Sequence, residues 1–95
     1  MRIKILGKYW NLRFVTNLGL NENGEEYLGH TDHPDTPNKA IKVKLGQSTE
    51  EEFDTILHEC IHVLFPQADE DFVHQSSNDL TRLMFKRYDI KKKKE

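Results

Sequence analysis

The residues best suited to chemistry are His58-Glu59-Cys60-Ile61-His62. Two histidines four positions apart stack on one face of a helix, so their ring nitrogens can grip one metal ion. A glutamate directly after the first histidine lies beside that face. There it is placed to take a proton from water at the metal and hand it to a leaving group. Glu59 is therefore the candidate catalytic residue, and His58 and His62 are candidate metal ligands. The chemistry expected is zinc-dependent hydrolysis, most naturally of a peptide, with one Zn2+ per chain.

A catalytic zinc takes three protein ligands and leaves a fourth position open. A turn near Pro66 separates the motif from a second helical segment. If the two helices pack antiparallel, residues equally far from the turn are level, at about 1.5 Å per residue. By that count His74 faces the histidine pair and is the favoured third ligand. Glu70 lies nearer the turn and shares a face with His74, which suits a partner of the ligands. Glu70 and Asp71 remain alternatives for the ligand position itself.

The elements that must hold these side chains are legible from periodicity. Ser48 with Glu51 is a capping box, and Glu50, Glu51 and Glu52 suit the positive end of a helix dipole. Pro66 ends that helix. Phe53, Ile56, Leu57, Cys60, Ile61 and Leu64 fall in one arc of it, nearly opposite the histidines. Cys60 is thereby a core residue and not a ligand. A second helix is expected over residues 69–88, with Phe72, Val73, Ser76, Leu80, Leu83 and Met84 as its apolar face.

The first half alternates apolar and polar residues, as strands do. Ile3 and Ile5, then Trp10, Leu12 and Phe14, flank Gly7-Lys8 and read as a hairpin. Residues 17–24 hold glycines and asparagines and read as a loop. Residues 25–31 are a short third strand, and the Asp/Pro-rich stretch 32–38 is a stiff connection. Residues 40–45 form a further strand, with Ile41, Val43 and Leu45 on one face and Lys42 and Lys44 on the other. Such a lysine-dotted strand is expected at a protected sheet edge. The fold class is α+β: a small, mainly antiparallel sheet of three to four strands, the motif helix, and a second antiparallel helix bearing a ligand. Residues 1–88 form one domain, and residues 89–95 a basic, disordered tail.

Composition narrows the setting. With 36% hydrophobic and 32% charged residues the chain is neither a membrane protein nor a disordered one. No leader segment is evident, and a single cysteine excludes an internal disulfide and fits a reducing cytoplasm. Residues 49–88 carry nine acids against three bases, a balance that favours a cation and opposes nucleic acid. The lysines at 91–94 offer at most weak contacts to nucleic acid or acidic partners.

The arrangement resembles the zincin peptidases. It is most similar to small phage- or prophage-type proteins related to the SprT-like and ImmA/IrrE-like groups. The likeness spans residues 29–88. It rests on Pro37-Asn38-Lys39-Ala40-Ile41, on Ile56-Leu57-His58-Glu59-Cys60-Ile61-His62, and on Asp69-Glu70-Asp71-Phe72-Val73-His74-Gln75. It implies a minimal zincin-like fold in the cytoplasm, that of the host if the gene is carried by a phage. It also implies that the strand 40–45 pairs with an extended peptide substrate and presents it to the metal. In related sequences the position of His74 is often glutamate, so His58, His62 and His74 would here make a three-histidine set.

Other polar residues point less clearly to chemistry. His30 and His33 suit local backbone bonding in an Asp/Pro turn. Tyr27 and Tyr88 suit amphipathic packing, and Asp54 suits a solvated first turn. Two functions are compatible with the pattern: a zinc hydrolase using Glu59, and a non-catalytic interaction module whose metal only joins the helices.

Overall fold

Residues 1–93 are described by a computed structural model. The chain opens with β1 (Arg2–Ile5) and β2 (Lys8–Val15), an antiparallel pair in which Ile5 faces Lys8. That register leaves Leu6 and Gly7 as a two-residue turn, with φ of 50° and 77°. Positive φ at both positions gives the turn the twist that hairpins prefer. The turn thus sits one residue earlier than Gly7-Lys8, with a leucine in the less comfortable position.

β3 (Gly29–Thr31) and β4 (Ala40–Lys44) complete a four-stranded mixed sheet in the order β1-β2-β4-β3. β2 and β4 run parallel, with Leu12 beside Ile41 and Phe14 beside Val43, while β3 pairs antiparallel with β4. The fold is α+β as expected, with two of the three strand pairings antiparallel.

The strand expected at the edge is inside. β4 is flanked by β2 and β3, and Ala40, Ile41 and Val43 are buried. Lys42 and Lys44 alternate with the core residues and so lie on the opposite face of the sheet, where Lys44 pairs with Glu26 at 2.7 Å. The lysine pattern therefore marks an open face rather than a free edge. The edge beside β4 belongs to β3.

Trp10, Leu12, Ile41 and Val43 form the core, and Ile56, Cys60 and Val63 of α1 (Thr49–Leu64) pack against it. Burying such a side chain contributes about 1.5–3 kcal/mol. The Ser48 capping box is present: its hydroxyl accepts from the Glu51 N–H, and the Glu51 carboxylate accepts from the Ser48 N–H.

α2 (Glu70–Arg87) starts on an Asp69 N-cap and packs on α1 without touching the sheet. Its contact face differs from the apolar arc expected. Val73, Ser77 and Thr81 are buried, while Phe72, Leu80 and Leu83 are exposed. The smaller side chains lie along the seam because they allow the two helices to approach. The Phe53 and Phe85 rings close the far end of this seam edge-to-face, 5.4 Å between centroids.

Beyond α2, the described part of the tail lies near the start of α1. Lys92 Nζ donates to the Gln47 carbonyl at 3.0 Å and stands 3.5 Å from Glu52. Residues 89–93, within the tail expected to be disordered, form neither helix nor strand, and Lys94 and Glu95 fall outside the described residues. Among the described residues, no helix is long and apolar enough to cross a membrane.

Candidate metal centre and the acid beside it

α1 carries His58 and His62 one turn apart. Their Nε2 atoms stand 3.2 Å from each other. Two ligands of a tetrahedral zinc, each bonded at 2.0–2.1 Å, are about 3.3 Å apart. The histidine pair therefore has the spacing that one shared ion requires.

The third group is Glu70. One carboxylate oxygen lies 2.8 Å from His58 Nε2, and the other lies 3.1 Å from His62 Nε2. His58, His62 and Glu70 thus form a compact group able to hold a metal ion. Two imidazoles and one carboxylate suit zinc, and an open fourth position is the usual complement of such a set.

His74, the ligand favoured by the depth argument, stands one turn further along α2. Its ring centroid is 6.3 Å from that of His58, and its Nε2 is 3.5 Å from the Asn78 amide. It lines the same cleft but is not in the group of three. The difference has a simple cause. Depth along the helix axes omits side-chain reach: Glu70 is the first residue of α2 and opposes the end of α1, where His62 lies. The length of the glutamate side chain then carries its carboxylate on to His58. Asp71 is exposed and does not join the group.

Glu59 turns toward β3. It is 7% exposed, a low value for a carboxylate. The Thr31 hydroxyl donates to its Oε1 at 2.8 Å. Gly29 lies against its other oxygen: a Cβ on Gly29 would stand 2.8 Å from Oε2 and 2.9 Å from Cγ of Glu59. Both contacts follow from strand register, because Gly29 pairs with Val43 and Thr31 with Ile41, on the face that α1 covers. Neither residue was singled out by the sequence. The available signal was a glycine within a short strand, which often marks a close approach of backbone to another group.

These groups line an open cleft of about 910 Å³ between β3 and the two helices. Tyr27 and Asp54 also line it, and Tyr88 does not. His30 and His33 lie at its rim in local contacts. His30 Nε2 is 3.2 Å from Asp32, and His33 Nδ1 accepts the Asp35 N–H at 3.2 Å. Cys60 faces the core, where burial and then the neighbouring Glu59 charge push its thiol pKa up. A thiol held protonated in this way is a poor ligand.

Comparison with known protein families, curated proteins and solved structures finds no match to this chain.

Proposed function

We propose that the protein is a zinc-dependent hydrolase, and specifically a peptidase of the zincin type. The observation that carries this reading is the grouping of His58, His62 and Glu70 with a buried acid, Glu59, in the same cleft. Zinc, when bound, supplies Lewis acidity toward water and a substrate carbonyl. Glu59 accepts a proton from the attacking water and delivers it to the departing amine. His58 and His62 from α1 and Glu70 from α2 would hold the ion, so ion binding would also tie the two helices together. An extended peptide would dock on β3, which lies at the sheet edge and borders the cleft. The cytoplasm, that of a host cell for a phage-carried gene, is the compartment we propose.

The same grouping also fits a second reading, a metal-stapled interaction module without catalysis, because its ligands come from both helices. Glu59 separates the two. Zinc-loaded wild type, zinc-loaded Glu59→Gln and chelated protein would be given a mixed peptide library, with cleavage followed by mass spectrometry. On the hydrolase reading Glu59→Gln keeps its zinc and loses about 100-fold or more of the cleavage rate. Equal rates in wild type and Glu59→Gln would refute the mechanism. Absence of cleavage by zinc-loaded wild type would favour the module.

A further inference from the structure

Glu59 is buried, and a buried carboxylate is costly unless its oxygens have partners. The contacts that meet it come from one strand. The Thr31 hydroxyl donates to Oε1 at 2.8 Å, and the bare backbone of Gly29 walls the side of Oε2 and Cγ. Thr31 Oγ1 also lies 3.4 Å from the Glu59 carbonyl, a longer contact than the one to the carboxylate. The single hydroxyl proton therefore goes to Oε1.

A free glutamate side chain samples many rotamers, whereas a general base must stand within hydrogen-bond reach of the proton it takes. The strand removes that freedom. Thr31 fixes one oxygen, Gly29 limits where the stem can swing, and Oε2 is left without the threonine bond.

We propose that Thr31 is the positioning residue of Glu59, its hydroxyl holding Oε1 so that the carboxylate keeps one orientation in the cleft. The proposal rests on the reading of Glu59 as the general base. It assigns β3 a role beyond bordering the cleft: the strand orients the reacting acid. Thr31 touches neither the metal group nor, on this account, the reacting atoms, and acts only through Glu59.

The test uses the full chain with Thr31→Val, which keeps the shape but removes the hydroxyl, and Thr31→Ser, which keeps the hydroxyl. Glutamate labelled at the side-chain carboxyl carbon, assigned through Glu59→Gln, reports the carboxylate directly in zinc-loaded and metal-free protein. The Glu59 resonance is expected to move in Thr31→Val and to stay near its wild-type position in Thr31→Ser. With the library peptide cleaved fastest by wild type, Thr31→Val should lower kcat by about 10-fold or more, since small displacements of a catalytic group are expensive in rate. KM and zinc stoichiometry should hold, Thr31→Ser should restore the rate, and Thr31→Val should cost nothing further in a Glu59→Gln background.

An unmoved Glu59 resonance in Thr31→Val overturns the proposal. So does a kcat loss that is equal in the valine and serine variants, or one that persists undiminished in the Glu59→Gln background. If wild type cleaves no peptide, the hydrolase reading fails separately. The resonance then decides whether Thr31 holds the carboxylate at all.

Discussion

His58 and Glu70 belong to different helices, yet the Nε2 of one stands 2.8 Å from a carboxylate oxygen of the other. The contact makes Glu70 the group of α2 that completes the histidine pair, with His74 one turn behind it. Glu70→Ala is therefore expected to weaken zinc binding by more than about 100-fold. His74→Ala should stay within the 10–100-fold typical of residues that only support ligands. Competition with a chromophoric chelator measures both. The reverse order would make His74 the third donor.

Zinc binding should also be visible as stability. An ion held by His58, His62 and Glu70 binds the folded chain and clamps α1 to α2, so it raises the melting temperature by mass action. Adding chelator to zinc-loaded protein should lower the midpoint in a scanning experiment. Identical midpoints with and without zinc would speak against a metal centre here.

Gly29 leaves no room for a side chain. The Cβ of an alanine would lie 2.8 Å from both Thr55 Cγ2 and Glu59 Oε2. Gly29→Ala should cost about 1–3 kcal/mol, as overpacking does in a tight core. Urea denaturation gives the value directly. A variant as stable as wild type would mean that β3 moves away from α1 at little cost.

The capping box gives a pH dependence whose sign can be worked out. The Ser48 hydroxyl, and then its backbone N–H, hold the Glu51 carboxyl below the ordinary 4.5. A depressed folded-state pKa contributes stability that is present above the unfolded value and lost as pH falls through the folded one. The stability difference between wild type and Glu51→Gln should therefore be constant above about pH 5 and shift against wild type on acidification below 4.5. Urea midpoints for the two proteins across this range check the sign. A difference that does not change with pH would show that the carboxylate is not coupled to the cap.

Thr81 is 2% exposed, and its hydroxyl has no hydrogen-bond partner among the described residues. Valine has nearly the same shape and removes the stranded group. Thr81→Val is expected to stabilise the protein by about 1 kcal/mol. A loss of stability in the urea midpoint would instead show that the hydroxyl finds a partner in solution.

Local signals in the sequence carried over well, because they depend on neighbours along the chain. Ser48 and Glu51 sit three residues apart in either description, and the stacking of His58 on His62 follows from helix geometry alone. The α+β order of elements was legible for the same reason. What periodicity does not contain is which strand lies beside which. Ile41 and Val43 alternate with lysines in a central strand open on one face just as they would at an edge, so the position of β4 between β2 and β3 was not readable. Thr31 and Glu59 are linked by a long-range contact, and no spacing rule connects them. Counting residues from the turn favours His74 over Glu70, because it gives depth along an axis and says nothing of side-chain reach.

The parallel pairing of β2 with β4 also sets how far along the chain the contacts of the site must reach. Between these strands the chain must travel through residues 16–39 and lay β3 outside β4 before the sheet is complete. Closing so long a loop is entropically slow, whereas α1 and α2 are joined by a short turn and meet through local contacts. The three candidate ligands all reside on that helical hairpin, and the seat of Glu59 comes from β3, which pairs with β4 at the sheet edge. On the proposed function, loosening of the edge strand β3 would free Glu59 while leaving the ligand group on its helical hairpin.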